Sequence, residues 1–415
     1  MNRTVIQRKL HYLMLRLLYL SGIITLFLSG GQLINSPLPK PTVAKTPEKL
    51  VSFKSPIAED DSSEVKLLFA GDIMSQLLQI QSAEIAPDRY DFESCFQYIR
   101  PVLERADVAL ANLEFTMPGH PPYTGYPNFR SPDTFAEAIA HAGFDILVTA
   151  NNHSNDGGLE GITHTLETLD KNHLLHTGTF SDSMSKRLYY PFIFYKKGIK
   201  FALVNYTLHT NGIKTTNPAS VNYLEIADFQ RDITLAKQMK PDFIIAFVHW
   251  GVEYALHENE EQTVLSRLLH RAGADIVVGS HPHVVQPIKL IYEKEKPQLT
   301  AYSLGNFISA QPYDNTEGGI LFEVDVKKVR GKTSIIDYRY LPVLRYTPNG
   351  VKGKYFALPI SVYEDTIQNV LKMPLSERVK MRDFARNTRN RLDSFGVQER
   401  ILDLKALKKV KQWQF

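Results

Sequence analysis

Short apolar runs that alternate with amphipathic stretches are the feature that most limits how residues 65–304 can fold. The runs are Val65–Ala70, Val108–Ala111, Ile146–Ala150, Phe201–Tyr206, Phe243–Val248, Ile276–Val278 and Leu299–Leu304. Between several of them lie sequences with helical periodicity, namely Pro132–His141, Leu159–Lys171, Ile226–Met239 and Glu260–Ala272. Apolar strands joined through helices are typical of a largely parallel sheet whose two faces are both covered. The pattern therefore predicts an α/β fold with a buried, mostly parallel sheet.

Polar residues follow these predicted strands at the points where the strands end. The clusters are Asp72; Asn112 and Glu114; Asn151, Asn152, His153 and Asp156; His249 and Glu253; His281 and His283; and Asn306. In a parallel sheet the carboxyl ends of the strands lie along one edge, where ligands bind. We therefore expect these side chains, which are far apart in sequence, to converge on a single site.

The sequence His281-Pro282-His283 is the most specific of these clusters. The proline restricts the backbone between the two histidines, and Gly279 permits a close approach of the chain. Carboxylate, amide and imidazole groups together suit Zn, Mn or Fe, and the single cysteine, Cys95, excludes a thiolate-rich zinc site. The clusters therefore predict a divalent transition metal (Mn, Zn or Fe), bound as one or two ions. Two such ions can activate a water and stabilise charge on a phosphoryl oxygen.

The N-terminus predicts the compartment. Four basic residues, Arg3, Arg8, Lys9 and Arg16, precede an apolar run at Leu17–Leu28. An apolar run behind basic residues is typical of a secretory signal or signal anchor, with the basic side in the cytoplasm. The wider stretch 10–33 is long enough to span a bilayer, which favours an uncleaved anchor over cleavage near residues 29–31. We therefore predict a cell-membrane protein with a single N-terminal anchor, residues 1–33, and an extracytoplasmic main domain.

The rest of the chain divides into three predicted parts. Residues 34–63 are rich in proline and poor in apolar residues, which indicates an extended linker. A main domain is predicted at residues 64–326 and a C-terminal part at residues 327–415. The C-terminal part is expected to complete a strand hairpin at the sheet edge and to end in charged helices. Because the formal net charge is only +4, with 48 basic and 44 acidic residues, no nucleic-acid partner is predicted.

Six motifs resemble those of one known family, the CapA family of capsule synthesis proteins. In chain order they are GDIM at Gly71–Met74, ANLEF at Ala111–Phe115, ANNHSND at Ala150–Asp156, HWGVEY at His249–Tyr254, GADIVVGSHPHVVQ at Gly273–Gln286 and YSLGNF at Tyr302–Phe307. The resemblance implies a role in poly-γ-glutamate production. The CapA family is similar in turn to calcineurin-like metallophosphoesterases. The resemblance therefore also implies a metallophosphoesterase-like fold, a four-layer α/β/β/α sandwich, with a dimetal site.

The resemblance implies roles for individual residues. The implied metal-site residues are Asp72, Asn112, Glu114, Asn152, His249, Glu253, His281 and His283, with Glu114 or Asn112 near the bridging position. The implied catalytic pair is His153, as proton donor or charge stabiliser, and Asp156. Asp156 and Glu253 are also expected to orient histidines. Metallophosphoesterases carry a histidine two residues after the first aspartate, where this chain has Met74, and their bridging aspartate has no identical counterpart here.

Three functions are compatible with these features. The first is a cell-surface component of anionic polymer assembly, with a metal-dependent hydrolytic or transfer site. Its expected partners are a polymer such as poly-γ-glutamate, membrane synthase subunits, and the membrane itself through the N-terminal segment. The second is a non-catalytic polymer-binding or synthase-scaffolding protein, which Met74 favours. The third is a general extracytoplasmic metallophosphoesterase unrelated to capsule.

Overall fold

The computed structural model describes residues 62–293, 296–348, 354–364 and 372–402 of the 415-residue chain. The predicted anchor at residues 1–33, and the predicted linker as far as residue 61, lie outside these residues. No helix of the described part is long and apolar enough to cross a membrane.

The larger sheet contains nine strands within the described residues. In spatial order the main path is β18 (Phe356–Pro359), β17 (Lys332–Tyr346), β16 (Gly318–Val329), β1 (Ser62–Met74), β4 (Val108–Glu114), β5 (Ile146–Val148) and β6 (Leu175–Thr177). Two further strands lie off this path: β15 (Asn306–Ile308) pairs with β1, and β19 (Gln398–Glu399) pairs with β17. Strands β1, β4, β5 and β6 are parallel to one another.

The second sheet contains six strands. In spatial order they are β13 (Ile288–Glu293), β14 (Lys296–Ala301), β12 (Ile276–Ser280), β11 (Phe243–His249), β9 (Ile199–Thr207) and β8 (Phe192–Lys196). Strands β9, β11, β12 and β14 are parallel. Two small ribbons complete the strands: β2 (Glu84–Ala86) with β3 (Arg89–Tyr90), and β7 (Thr179–Phe180) with β10 (Ser220–Val221).

Most helices of the described residues connect the strands. In chain order they are α1 (Leu77–Ala83), α2 (Arg100–Leu103), α3 (Thr134–Ala142), α4 (Gly158–Lys171), α5 (Ser183–Tyr189), α6 (Ile226–Gln238), α7 (Glu260–Ala272), α8 (Ile360–Tyr363) and α9 (Leu375–Asp393), with a 3₁₀ helix at Glu93–Phe96. The four predicted helices correspond to α3, α4, α6 and α7, and their bounds agree within two residues. Each of the seven predicted strands overlaps an observed strand, although β14 ends at Ala301, three residues before the predicted end, and β5 ends at Val148, two residues before it.

Alternating side chains of the strands build three cores and therefore four layers. In β1, Leu67 and Phe69 face the core between the two sheets, where the Phe69 ring lies 6.4 Å from that of Phe247. Leu68 and Ala70, on the opposite face, pack with the helices on the outer side of the first sheet. This alternation follows from the two-residue period of a strand.

The outer face of the second sheet has its own core. There Phe229 of α6 and Leu265 of α7 pack with Val204 and Ala246 of the sheet. The order of layers is thus helix, sheet, sheet, helix. The α/β/β/α sandwich implied by the resemblance is confirmed.

Two expectations from the residues differ from the structure. One largely parallel sheet was predicted, whereas two sheets exist and antiparallel strands flank their parallel centres. A strand covered on both faces is apolar throughout, whether helices or a second sheet cover it, so the sequence pattern cannot separate the two cases. The predicted boundary at residue 326 falls inside β16, which pairs with β1 over most of its length. The β16–β17 hairpin is therefore an integral part of the first sheet.

A glycine contact brings the site-bearing ends of β1 and β15 together. The backbone N–H of Asp72 donates to the Gly305 carbonyl oxygen at 3.0 Å. A Cβ at Gly71 would lie 1.9 Å from that same oxygen, so only glycine fits at this position. The β1–β4 register also shifts between Ala70 and Asp72. This irregularity places Asp72 opposite both Asn112 and Asn306.

Candidate metal centre

Two buried carboxylates from adjacent strands form the base of the site. Asp72 of β1 pairs in register with Asn112 of β4, and Glu114 lies two residues further along β4. The Asn112 side-chain amide donates to Asp72 Oδ1 at 2.8 Å and to Glu114 Oε2 at 3.1 Å. Its own oxygen accepts from Asn151 Nδ2 at 3.1 Å. Asn112 thus lies between the two carboxylates and links them.

The segment His281–His283 approaches these carboxylates through one backbone N–H and one imidazole. Both histidines have positive φ, 98° at His281 and 59° at His283, which is uncommon for residues other than glycine. The His281 backbone N–H donates to Asp72 Oδ2 at 3.3 Å, and His283 Nδ1 lies 3.2 Å from the same oxygen. His283 Nε2 lies 3.7 Å from Glu114 Oε1. The strained turn therefore directs the His281 N–H toward Asp72, and the His283 ring toward both Asp72 and Glu114.

His249 joins the two sheets at the site. It ends β11 of the second sheet, and its Nδ1 lies 2.9 Å from the hydroxyl of Ser280, its register partner on β12. Its Nε2 lies 2.9 Å from Asn152 Oδ1, 3.1 Å from His281 Nδ1 and 3.9 Å from Glu114 Oε1. Donor atoms from the carboxyl ends of both sheets therefore meet around one imidazole nitrogen.

The donor set fits a divalent metal. Glu114 Oε1 is buried and has no hydrogen-bond partner among the described residues. Two groups have ligand atoms that all lie within 4.8 Å of one another: Asp72 with Glu114 and His249, and Glu253 with His281 and His283. A buried carboxylate oxygen without a partner costs free energy unless a cation neutralises it. Mixed oxygen and imidazole donors are the set that Mn, Zn and Fe accept.

Burial shifts the protonation of these groups in the direction that metal binding requires. Burial lowers the pKa of His249 and of His281 well below its usual value, and the neighbouring histidines lower it further. Both rings are therefore neutral, as a ligand imidazole must be. Burial, followed by the negative charge of Asp72, raises the pKa of Glu114 well above its usual value. Without a cation the site holds a carboxyl that resists ionisation.

His153 and Asp156 form a separate buried pair beside the centre. His153 Nδ1 lies 2.6 Å from Asp156 Oδ2, which also accepts from the backbone N–H of Phe129 at 2.6 Å. The Phe129 ring packs on the imidazole, with centroids 4.3 Å apart. A carboxylate at Nδ1 fixes the proton there and leaves Nε2 as the nitrogen that can exchange a proton. This is the arrangement of a histidine oriented for proton transfer.

Several residues of the site were not among the sequence-predicted ligands. Asn306 Oδ1 lies 3.1 Å from His283 Nδ1, and Ser280 supports His249. The exposed ring of His209 makes an edge contact with His281, with centroids 5.4 Å apart. The position of Asn306 directly after a predicted strand was a sequence signal that could have identified it as a site residue. No sequence signal identified His209, because it lies in an irregular loop after β9 and no spacing rule connects it to His281.

The remaining predicted residues occupy different positions relative to the cluster. Asn152 contacts His249, as described, and also lies close to Asn211. Glu253 is exposed at the rim, although it shares a ligand group with the two histidines of the turn. Met74, at the position where metallophosphoesterases carry a histidine, is buried in the apolar core between the first sheet and its helices.

The region that contains these residues also matches a known protein family. Residues 66–311, more than half of the chain, match the family described as bacterial capsule synthesis protein PGA_cap. The chain belongs to this family. The matched range runs from β1 to just beyond β15, and it includes every residue assigned above to the metal cluster.

Two curated relatives resemble the chain over most of their length. The PGA biosynthesis protein CapA of Bacillus subtilis is 27% identical over 336 residues, which is 77% of each chain. The capsule biosynthesis protein CapA of Bacillus anthracis is 26% identical over 315 residues, 72% of each chain. Like these relatives, the chain is a CapA-like member of the capsule synthesis family.

Solved structures with lower similarity include two enzymes. The NAD nucleotidase of Haemophilus influenzae has a TM-score of 0.45 and 15% identity, covering 84% of this chain and 66% of its own. The calcineurin-like phosphoesterase YfkN of Bacillus subtilis has a TM-score of 0.43 and 13% identity, covering 78% of this chain and 100% of its own.

Proposed function

We propose that this protein assembles an anionic capsular polymer, such as poly-γ-glutamate, by means of a metal-dependent hydrolytic or transfer site. The observation that carries the proposal is the convergence of donors from both sheets on the buried, partner-free oxygen of Glu114. The names of the two relatives support the choice of polymer, since one is a PGA biosynthesis protein and the other a capsule biosynthesis protein.

The residues that would hold the metal are Asp72, Glu114, His249, His281 and His283, with Asn152 and Glu253 beside them. A divalent metal bound there supplies Lewis acidity toward an oxygen of the substrate. Asn112 holds the two carboxylates apart through its paired hydrogen bonds. His153, oriented by Asp156, donates a proton to the leaving group. Burial excludes water from the polar contacts, which strengthens them.

The test combines polymer production in cells with hydrolysis in solution. In a strain that lacks the protein, we expect Asp72→Ala to fail to restore surface polymer. We also expect His153→Ala to slow metal-dependent hydrolysis of an alkyl phosphodiester about 100-fold or more, the usual contribution of general acid catalysis, because an alkoxide leaving group needs a proton. The matched control is Asp383→Ala, because that carboxylate lies on the surface of α9 and its ion pair among the described residues is with Arg386.

The outcomes separate the competing functions. Full polymer production by Asp72→Ala would mean that the protein scaffolds a synthase or binds polymer without catalysis, as Met74 favours. Rapid metal-dependent hydrolysis in a strain whose surface polymer is unchanged by deletion would instead indicate a general phosphoesterase. Synthase subunits that co-purify with both wild type and Asp72→Ala would mark a partnership independent of catalysis.

We further propose that the main domain lies outside the cytoplasm, anchored by residues 1–33. The basis is the run of basic residues ahead of Leu17–Leu28. Alkaline phosphatase fused to the C-terminus of the full chain should be active, and deletion of residues 1–33 should abolish that activity. If the phosphatase fusion is inactive, and a green fluorescent protein fused at the same position is fluorescent in the cytoplasm, this location is contradicted.

A further inference from the structure

Two tyrosines lie exposed at the rim of the candidate metal centre. Tyr254 is 37% exposed and Tyr313 is 55% exposed. Their ring centroids are 4.8 Å apart, and the Tyr254 ring lies 6.2 Å from the ring of His283. The two rings therefore form one continuous aromatic surface that begins next to a candidate metal ligand.

The backbone of Tyr254 is fixed to the metal-site turn. Its φ is +65°, an unfavourable value for a bulky residue, and its N–H donates to the Pro282 carbonyl oxygen at 2.8 Å. The buried Gln286 side chain holds the following residues by donating to the carbonyl oxygens of Ala255 and His257 at 2.8 and 3.0 Å. Strain of this kind persists only where surrounding contacts impose it, and it is concentrated at functional sites.

Tyr313 is fixed through a different loop to the same centre. Its carbonyl oxygen accepts from the Thr316 hydroxyl at 2.6 Å. The amide of Asn306 donates to the Thr316 carbonyl oxygen at 2.9 Å and to Gln311 Oε1 at 2.8 Å. Asn306 Oδ1 in turn lies 3.1 Å from His283 Nδ1. Both tyrosine-bearing loops are therefore tied by hydrogen bonds to the histidine turn.

The combination of a rigid backbone and an exposed ring indicates a ligand surface. Folding leaves 37% of Tyr254 and 55% of Tyr313 exposed to solvent, although burial of aromatic area is a main source of stability. Tyrosine loses little conformational entropy when it contacts a ligand, because it has only two side-chain torsions. The exposed carboxylate of Glu253 lies beside Tyr254 and can accept hydrogen bonds from hydroxyl groups. An aromatic surface with an adjacent carboxylate suits a ring that carries hydroxyl groups, which is the chemistry of a sugar.

We propose that Tyr254 and Tyr313 bind the sugar ring of a phosphorylated ligand whose phosphoryl group lies at the metal cluster. The inference rests on the proposed metal-dependent function and assigns its substrate class, a sugar phosphate or the ribose phosphate of a nucleotide. A linear γ-glutamyl chain has no ring to place on this surface. The polymer-assembly role then depends on a reaction that generates or consumes a sugar phosphoester.

The test measures ligand binding rather than turnover, using the full-length protein with and without Mn²⁺. The probes are glucose 1-phosphate, adenosine monophosphate, glycerol 1-phosphate and tri-γ-glutamate, and isothermal titration calorimetry measures the affinity of each. We expect either ring-bearing phosphate to bind more tightly than glycerol 1-phosphate. Tyr254→Ala and Tyr313→Ala should each weaken that binding about two- to twelvefold, the range of an aromatic contact worth about 0.5–1.5 kcal/mol. The relative affinities of the two ring-bearing probes identify the source of the sugar.

Controls separate this proposal from the proposed function. Tyr254→Phe and Tyr313→Phe should keep the ring preference, and Tyr195→Ala, at a 39% exposed tyrosine of β8, should leave all affinities unchanged. Mn²⁺ affinity should be the same in every tyrosine variant. Equal binding of ring and acyclic phosphates, or tighter binding of tri-γ-glutamate, overturns the sugar assignment even if Mn²⁺ binds. Absence of Mn²⁺ binding by wild type overturns the metal-dependent function, while the metal-free titration still reports on the tyrosines.

Discussion

His281→Ala is expected to lower the affinity of the protein for Mn²⁺ or Zn²⁺ by about 100-fold or more. Loss of a residue that merely supports a ligand costs about 10–100-fold in metal affinity, and a direct ligand should cost at least as much. The imidazole of His281 lies 3.1 Å from His249 Nε2, so its removal also leaves that ring without a neighbour on one side. Equilibrium dialysis with metal analysis of the bound fraction gives the affinity directly.

The control for this measurement is His141→Ala. His141 is an exposed residue of α3 whose Nδ1 lies 2.7 Å from Glu93 Oε1, and it belongs to neither group of candidate ligands. Its replacement should leave the metal stoichiometry and affinity unchanged. A wild-type protein that binds no transition metal, or a His281→Ala protein that binds as tightly as wild type, would remove the metal centre from the interpretation. Thermal unfolding of both variants without metal tests whether each is folded.

Glu114→Gln is expected to stabilise the metal-free protein and to weaken metal binding. Glutamine cannot ionise, so the variant avoids the cost of keeping a proton on a buried carboxyl whose pKa is raised above 4.5. The free energy of unfolding should therefore rise relative to wild type by about 1.4 kcal/mol for each pH unit above 4.5 over which the folded carboxyl stays protonated. Wild type should gain about 2.7 kcal/mol when free metal is present at 100 times its Kd. The variant should lose most of this gain, because a neutral amide neutralises a cation less well than a carboxylate. Urea unfolding with and without Mn²⁺ measures both effects.

The stabilisation by Glu114→Gln should depend on pH in a defined direction. Burial and the charge of Asp72 raise the pKa of Glu114 in the folded state above its value of 4.5 in the unfolded chain. Between these two pKa values the folded wild type retains a proton that the unfolded chain has released, so stability falls as pH rises. The variant lacks this titration. The difference between variant and wild type should therefore be smallest below pH 4.5 and grow as pH rises.

A difference that stays constant from pH 4 to pH 8 would contradict the raised pKa. The comparison is made between two proteins at each pH, so the titrations of His249 and His281 largely cancel. Their lowered pKa values act in the opposite direction. Unfolded histidines bind protons below about pH 6.5, the folded ones do not, and both proteins should lose stability as pH falls below that value.

Seven strands, the four helices between them and the presence of polar residues at the strand ends could be predicted from the sequence. The run Phe243–Val248 contains only apolar residues, and the helix that follows it begins at Glu260, as its periodicity predicted. The β16–β17 hairpin was predicted at the edge of the sheet, but its pairing with β1 was not, because that pairing connects residues more than 250 positions apart. Local patterns carry no information about such pairings.

The identity of the candidate ligands could be predicted from local sequence, but the environment of each ligand could not. Five polar residues were predicted as ligands because each follows an apolar run. The structure brings all five together: Asp72, Glu114, His249, His281 and His283. The protonation of Glu114 was not predictable, because its environment depends on Asp72, forty-two positions away, and on complete burial. The aromatic surface of Tyr254 and Tyr313 was equally hidden, since exposed tyrosines in loops have no pattern of their own.

By itself, the sequence determined seven of the strands, the four helices between them and the residue types at the strand ends, since side-chain period and backbone preference act over only a few residues. Only the tertiary structure decided that two sheets share the site, that Glu114 has an oxygen without a partner, and that two tyrosine loops are tied to the turn at His281–His283. Those features depend on contacts between distant segments. Burial of the assembled site then raises the pKa of the Glu114 carboxyl and lowers the pKa of the His249 and His281 imidazoles.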